Sequence, residues 1–163
     1  MQEAEDVIDQ LGLGLARAGA ALPLVGGLIG SAMGMYYANS VGVNVLAEDP
    51  KQFRNVIFLS ALPMTQTFYG LIQMLYIMEV FLRAKGASID LSLGLAVLGL
   101  GLVGFAAELF SALSQGKICA HGISELIRTQ GKILTNAIIM AVYVELWGIL
   151  GLVFVFLGLS LLG

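Results

Sequence analysis

Glu145 lies near the middle of an otherwise apolar run that extends from Ala137 to Leu157. About 20 apolar residues suffice to cross a bilayer, so the run can carry a carboxyl group to membrane depth. Placing an Asp-like charge there costs about 2.5–3.5 kcal/mol on insertion scales. Groups that bear this cost usually face a bundle interior and mark an ion or proton pathway. The plainer alternative is a structural Glu, protonated or hydrogen-bonded in place. A second apolar run holds Leu62–Pro63–Met64–Thr65–Gln66–Thr67–Phe68–Tyr69–Gly70. On a helix Thr65, Gln66 and Tyr69 fall within about 100° of one another, which makes a polar face at membrane depth. Such residues can reversibly bind a proton or a small hard cation.

The elements that must position them are membrane helices. The chain has 163 residues, of which 58% are hydrophobic and 12% charged, against about 25% charged in globular domains. An all-α membrane protein with four transmembrane helices is expected. The first is placed at about 11–38 and the second at about 52–82. The third falls at about 91–118 and the fourth at about 134–161. A net charge of −3 and the lack of any Lys/Arg-rich segment exclude a nucleic-acid partner. The single Cys119 excludes an intrachain disulfide and a CxxC metal site. The N-terminal stretch Gln2–Glu3–Ala4–Glu5–Asp6 is acidic where a secretory signal would be basic, so it reads as a polar surface segment. No GxxxxGK[ST] phosphate loop occurs, so the chain itself is not expected to bind nucleotide.

The first helix is rich in glycine, and Gly26, Gly30 and Gly34 recur every fourth residue. This small-xxx-small pattern lets helix backbones approach closely and predicts a tightly packed inner helix lining an oligomer. Pro63 removes a backbone donor, so a kink is expected in the second helix. Polar connections are expected over residues 39–51 and 119–133. The third helix is again rich in small residues, and the fourth is bulky. Asn55–Val56–Ile57–Phe58 matches Asn136–Ala137–Ile138–Ile139, and Gly70 matches Gly151 at the same separation. The opening helices need a slightly larger one. The chain therefore reads as a duplicated helical hairpin, 1–82 and 83–163, in which Met64 fills the slot of Glu145. Repeats of two helices share one orientation, so the repeat is parallel. Lys51, Arg54, Lys117, Arg128 and Lys132 flank the two connections, against Arg17, Arg83 and Lys85 on the other side. This bias places loops 39–51 and 119–133 in the cytoplasm of a multi-pass cell-membrane protein, with both termini outside.

Together with Ser114–Gln115–Gly116–Lys117 and Val144–Glu145, this pattern resembles the four-helix proteolipid (K or c) subunit of V-type and A-type rotary ATPases, over nearly the whole chain. The resemblance implies a rotor ring of identical copies. It also implies a stator subunit of the a/I type, a central-stalk subunit and surrounding lipid as partners, with ATP chemistry in other subunits. The sodium-translocating members bind Na⁺ through a backbone carbonyl, a Thr hydroxyl, two Gln amide oxygens and a Glu carboxylate, with a Tyr hydroxyl nearby. By position these are Leu62, Thr65, Gln66, Gln115, Glu145 and Tyr69. A hard cation favours oxygen donors, and one carboxylate leaves the occupied site neutral as it passes lipid. H⁺ is the alternative ion, but it needs only the Glu and one hydrogen-bond partner. Taken singly, such polar residues serve as interhelical glue.

Glu108 departs from that family pattern. It sits two turns before Gln115 on nearly the same face. The expectation is a protonated inner-wall Glu bonded to a neighbouring copy, and the alternative is a second ion site. Glu79 is expected to pair with Arg83 or Lys85 at the interface. Neither is expected to be needed for transport. Two other classes compete: a small secondary transporter, disfavoured by the parallel repeat, and a structural tetraspan, which needs no carboxylate at mid-membrane. A ring-sized particle after detergent extraction separates the rotor protein from both.

Overall fold

The computed structural model describes residues 2–86 and 89–162, with side chains from residue 7 onward. The acidic side chains of Glu3, Glu5 and Asp6 lie outside the described residues. Helix α1 covers Gln2–Glu48, about 70 Å at 1.5 Å per residue, and so extends beyond the hydrocarbon of a bilayer. The connection expected over 39–51 is therefore helical up to Glu48. Ser40 returns its hydroxyl to the Tyr36 carbonyl at 2.7 Å, while Ala38 and Val45 continue an apolar stripe buried against Val56, Leu59 and Ile123. Reversal takes only a few residues. Asp49 accepts from Lys51 N and from Gln52 Nε2, both at 3.1 Å, and Pro50 opens a single 3₁₀ turn, Pro50–Gln52.

The second pass is divided. Helix α2 (Phe53–Ala61) ends in a tight turn, Leu62–Met64, built on Pro63. Helix α3 (Thr65–Leu75) follows, then a wide π-helical stretch, Tyr76–Leu82, and the short α4 (Arg83–Lys85). The break expected at Pro63 is thus a tightened turn that resets the helix just before Thr65. Helix α5 (Leu91–Ser124), capped by the Asp90 side chain on Leu93 N, runs past the expected end at 118 because Cys119, Gly122 and Ile123 are buried. The loop expected over 119–133 shrinks to α6 (Leu126–Thr129) and a turn with positive φ at Gln130 and Gly131. Helix α7 covers Leu134–Leu161. Three helices, Val7–Glu48, Leu91–Ser124 and Leu134–Leu161, are each long and apolar enough to cross a membrane. The architecture is all-α.

Helices α1 and α5 lie parallel and in register along their length. Gly94 packs on Gly12, Gly101 on Gly19 and Gly116 on Gly34, each pair the same number of residues apart. Gly26, Gly30 and Gly34 meet Phe105, Leu109 and Ala112 of α5 in the same chain, so their close approach is used between the two hairpins. Helix α3 is pinned to α1 by Thr67, whose hydroxyl reaches Ser31 Oγ at 2.9 Å and the Gly27 carbonyl at 3.2 Å. That contact turns Gln66 toward α5. One apolar cluster, with Ala16, Ile77, Val97 and Val155, fills the end bearing the termini, and another, with Val56, Leu59, Cys119 and Ala141, fills the loop end. Between them Gln66, Gln73, Glu108, Ser111 and Gln115 form a buried polar layer.

Candidate ion-binding site

The tight turn at Pro63 leaves the Leu62 carbonyl at the head of α3, where it receives the Thr65 hydroxyl at 3.1 Å. That hydroxyl also lies 3.2 Å from Gln66 Oε1, so it chooses between two acceptors. Gln66 has no exposed surface, and its amide nitrogen spends both protons on α5, at 3.1 Å on Ser111 Oγ and 3.0 Å on Gln115 Oε1. Gln115, equally buried, donates Nε2 to Glu145 Oε2 at 3.2 Å. Tyr69 donates its hydroxyl to the other carboxylate oxygen, Oε1, at 2.8 Å. Ser111 closes the circuit by donating to the Val144 carbonyl at 3.0 Å.

All six residues singled out in the sequence therefore stand in one hydrogen-bonded circuit. The first hairpin supplies neutral oxygens on α3, and the second supplies Gln115 on α5 and the carboxylate on α7. Thr65, Tyr69 and Glu145 are half-buried. Met64, in the slot matching Glu145, faces outward. The chemistry available is that of one negative charge joined through hydrogen bonds to neutral oxygens: a backbone carbonyl, a hydroxyl and two amides. An amide presents either oxygen or N–H by half a turn about its last bond, so Gln115 can serve a carboxylate alone or a carboxylate with a cation.

Glu79 lies elsewhere, in an exposed ion pair with Arg83 at 2.9 Å, where solvent screening leaves such pairs little weight. Glu108 is fully buried, and its partner is Gln73 of the same chain at 2.6 Å, where a neighbouring copy had been expected. The sequence reading also passed over Ser111. Its position one turn before Gln115 was the available signal. Trp147 is 67% exposed on the single chain and lines a shallow groove with Phe110 and Ser114.

A family model that describes the C subunit of ATP synthase matches residues 18–77 and again residues 98–158, once in each hairpin. The chain belongs to the ATP synthase C-subunit family. This family member is 33% identical over 129 residues to the V-type sodium ATPase subunit K of Enterococcus hirae, covering 79% of this chain and 80% of that protein. It is also 32% identical over 146 residues to the A-type ATP synthase subunit K of Methanocaldococcus jannaschii, covering 90% of this chain and 61% of that protein. The family match is double, as a duplicated helical hairpin requires.

Proposed function

We propose that this family member forms a rotor ring with other copies of itself and carries Na⁺ on Glu145 as the ring turns. Leu62, Thr65, Gln66 and Gln115 supply the neutral oxygens, and Tyr69 steadies the carboxylate. The observation that carries this reading is the circuit from the Leu62 carbonyl to Glu145, because it links the carboxylate to several more neutral oxygens than a proton requires. A bound Na⁺ cancels the charge of Glu145, so the occupied site crosses lipid without a net charge. The name of the E. hirae relative supports the choice of ion. A stator subunit opens the site to either side of the membrane, a central stalk turns with the ring, and ATP is hydrolysed or made in other subunits. Exposed Phe110, Tyr143 and Trp147 offer an apolar outer surface to neighbouring copies or lipid. The termini lie outside the cell and the segments 39–51 and 119–133 in the cytoplasm, since Lys51, Arg54, Lys117, Arg128 and Lys132 lie in or near those segments, against Arg17, Arg83 and Lys85 on the other side.

The test is carbodiimide labelling, which attacks the protonated acid. Glu145 is expected to react faster as pH falls and more slowly as Na⁺ is added, because the two ions compete for one carboxylate. Labelling that no Na⁺ concentration slows, at any pH, would make the site a proton site. A second expectation concerns Ser111→Ala. It leaves one proton of the Gln66 amide without an acceptor, a loss of about 1 kcal/mol, so the Na⁺ concentration giving half-protection should rise about fivefold. An unchanged half-protection concentration would remove Ser111 from the site.

A further inference from the structure

Gln73 stands two turns beyond Gln66 on α3, and Glu108 two turns before Gln115 on α5. The two helices run antiparallel, so equal steps in opposite sequence directions reach the same backbone height, about 10 Å along the helices from Gln66 and Gln115. Neither side chain has any exposed surface. Gln73 Nε2 donates to Glu108 Oε1 at 2.6 Å. The second oxygen of each group, Gln73 Oε1 and Glu108 Oε2, is buried without a hydrogen-bond partner. Two orphaned acceptors on one hydrogen-bonded pair are costly and uncommon in a folded interior.

The surroundings leave these oxygens room. A Cβ at Gly104 would collide with Gln73 Oε1 and come within 2.7 Å of the Pro23 ring, and one at Gly148 would come within 2.9 Å of Glu108 Oε2 and 3.3 Å of both Ser111 Oγ and Gln66 Cγ. A proton on Glu108 makes a neutral carboxylic acid beside a primary amide, and rotation about their last bonds lets such a pair form two reciprocal hydrogen bonds. A hard cation would need more oxygens than this pair provides: Ser111 Oγ near Glu108 Oε2 is already engaged by Gln66 and Val144, and Pro23 beside Gln73 Oε1 offers ring carbons.

We propose that Glu108 and Gln73 form a second, closed binding site, which holds one proton permanently and does not exchange it for Na⁺. Tyr69 on α3 and Glu145 on α7 are the titratable groups in the same layer, and α1 contributes Pro23. On the reading of Glu145 as the Na⁺ carrier, a neutral Glu108 leaves that carboxylate as the one charge in the layer, so ion binding neutralises the layer completely.

Infrared difference spectroscopy of the extracted protein at neutral pH tests this through the carboxylic-acid C=O stretch. Subtracting Glu108→Gln from wild type should reveal one protonated-acid band, unchanged by saturating Na⁺. The same band should survive in a Glu145→Gln background, where no carrier carboxylate remains. Glu108→Gln should assemble normally, since two amides can make the same pair of hydrogen bonds. Gln73→Leu should move the band to higher frequency by removing its acceptor. Absence of the band overturns the proposal, as does a band unmoved by Gln73→Leu. A band that Na⁺ removes in the Glu145→Gln background also overturns it and makes the pair an exchanging cation site. Failure of the Na⁺ reading has a different signature: the Glu145 band would ignore Na⁺ while the Glu108 band remained as expected.

Discussion

Glu145→Gln is expected to abolish coupled ion transport by the assembled ATPase, and Glu79→Gln to retain most of it. The amide keeps the shape of the side chain and can still accept from one of the two donors, Tyr69 or Gln115, which lie 2.8 and 3.2 Å from the two carboxylate oxygens. What it loses is the negative charge. Without it, Na⁺ in the site would carry a full positive charge into lipid, at a cost of several kcal/mol, and no group remains to take up a proton. Transport by Glu145→Gln is therefore expected to fall to background in reconstituted vesicles, with ring-sized particles still present. Glu79 pairs with Arg83 in the open, with the two side chains 56% and 76% exposed, so its removal touches neither the circuit nor the buried layer. Appreciable coupled transport by Glu145→Gln would refute the carrier assignment.

Gly30→Leu is expected to lower the yield of ring-sized particles more than tenfold. Even a Cβ at this position would lie 2.8 Å from the Leu109 carbonyl oxygen, 2.9 Å from Ala112 Cβ and 3.0 Å from Leu109 Cα. Backbone atoms cannot swing aside as a side chain can, so the helices must separate. Overpacking of this kind costs about 1–3 kcal/mol even where neighbours can adjust. The lost contact lies between the hairpins of one chain, so the failure precedes assembly, whereas membrane insertion depends on the apolar runs and should persist. Gly14→Leu is the control, since among the described residues nothing beyond its own stretch of helix lies within 4 Å of a Cβ there. It should leave the hairpins packed, as judged by protease resistance. Normal yields of rings from Gly30→Leu would show that α1 and α5 do not need this approach.

Much of the molecule was legible in the order of its residues. Apolar runs of bilayer length, glycines on a four-residue repeat and a carboxylate in mid-run depend on local composition and helical period, which one segment displays alone. Pro63 likewise announces its turn, because the missing N–H is a property of that residue. The extent of the helices was not legible: polar residues near 39–48 look like a loop until Ala38 and Val45 are seen buried against the second pass. Nor were Ser111 and Gln73. Each is an ordinary polar residue on its own helix, and its role arises only when α3 and α5 are laid antiparallel at a fixed height. Glu108 shows the same division. Its cost in the membrane could be read from the sequence, but its partner could not, since Gln73 is brought to it by Thr67 holding α3 on α1 and by α1 packed in register on α5. Local chemistry determines which groups require partners, and only the packing of helices distant in sequence decides which partners they receive.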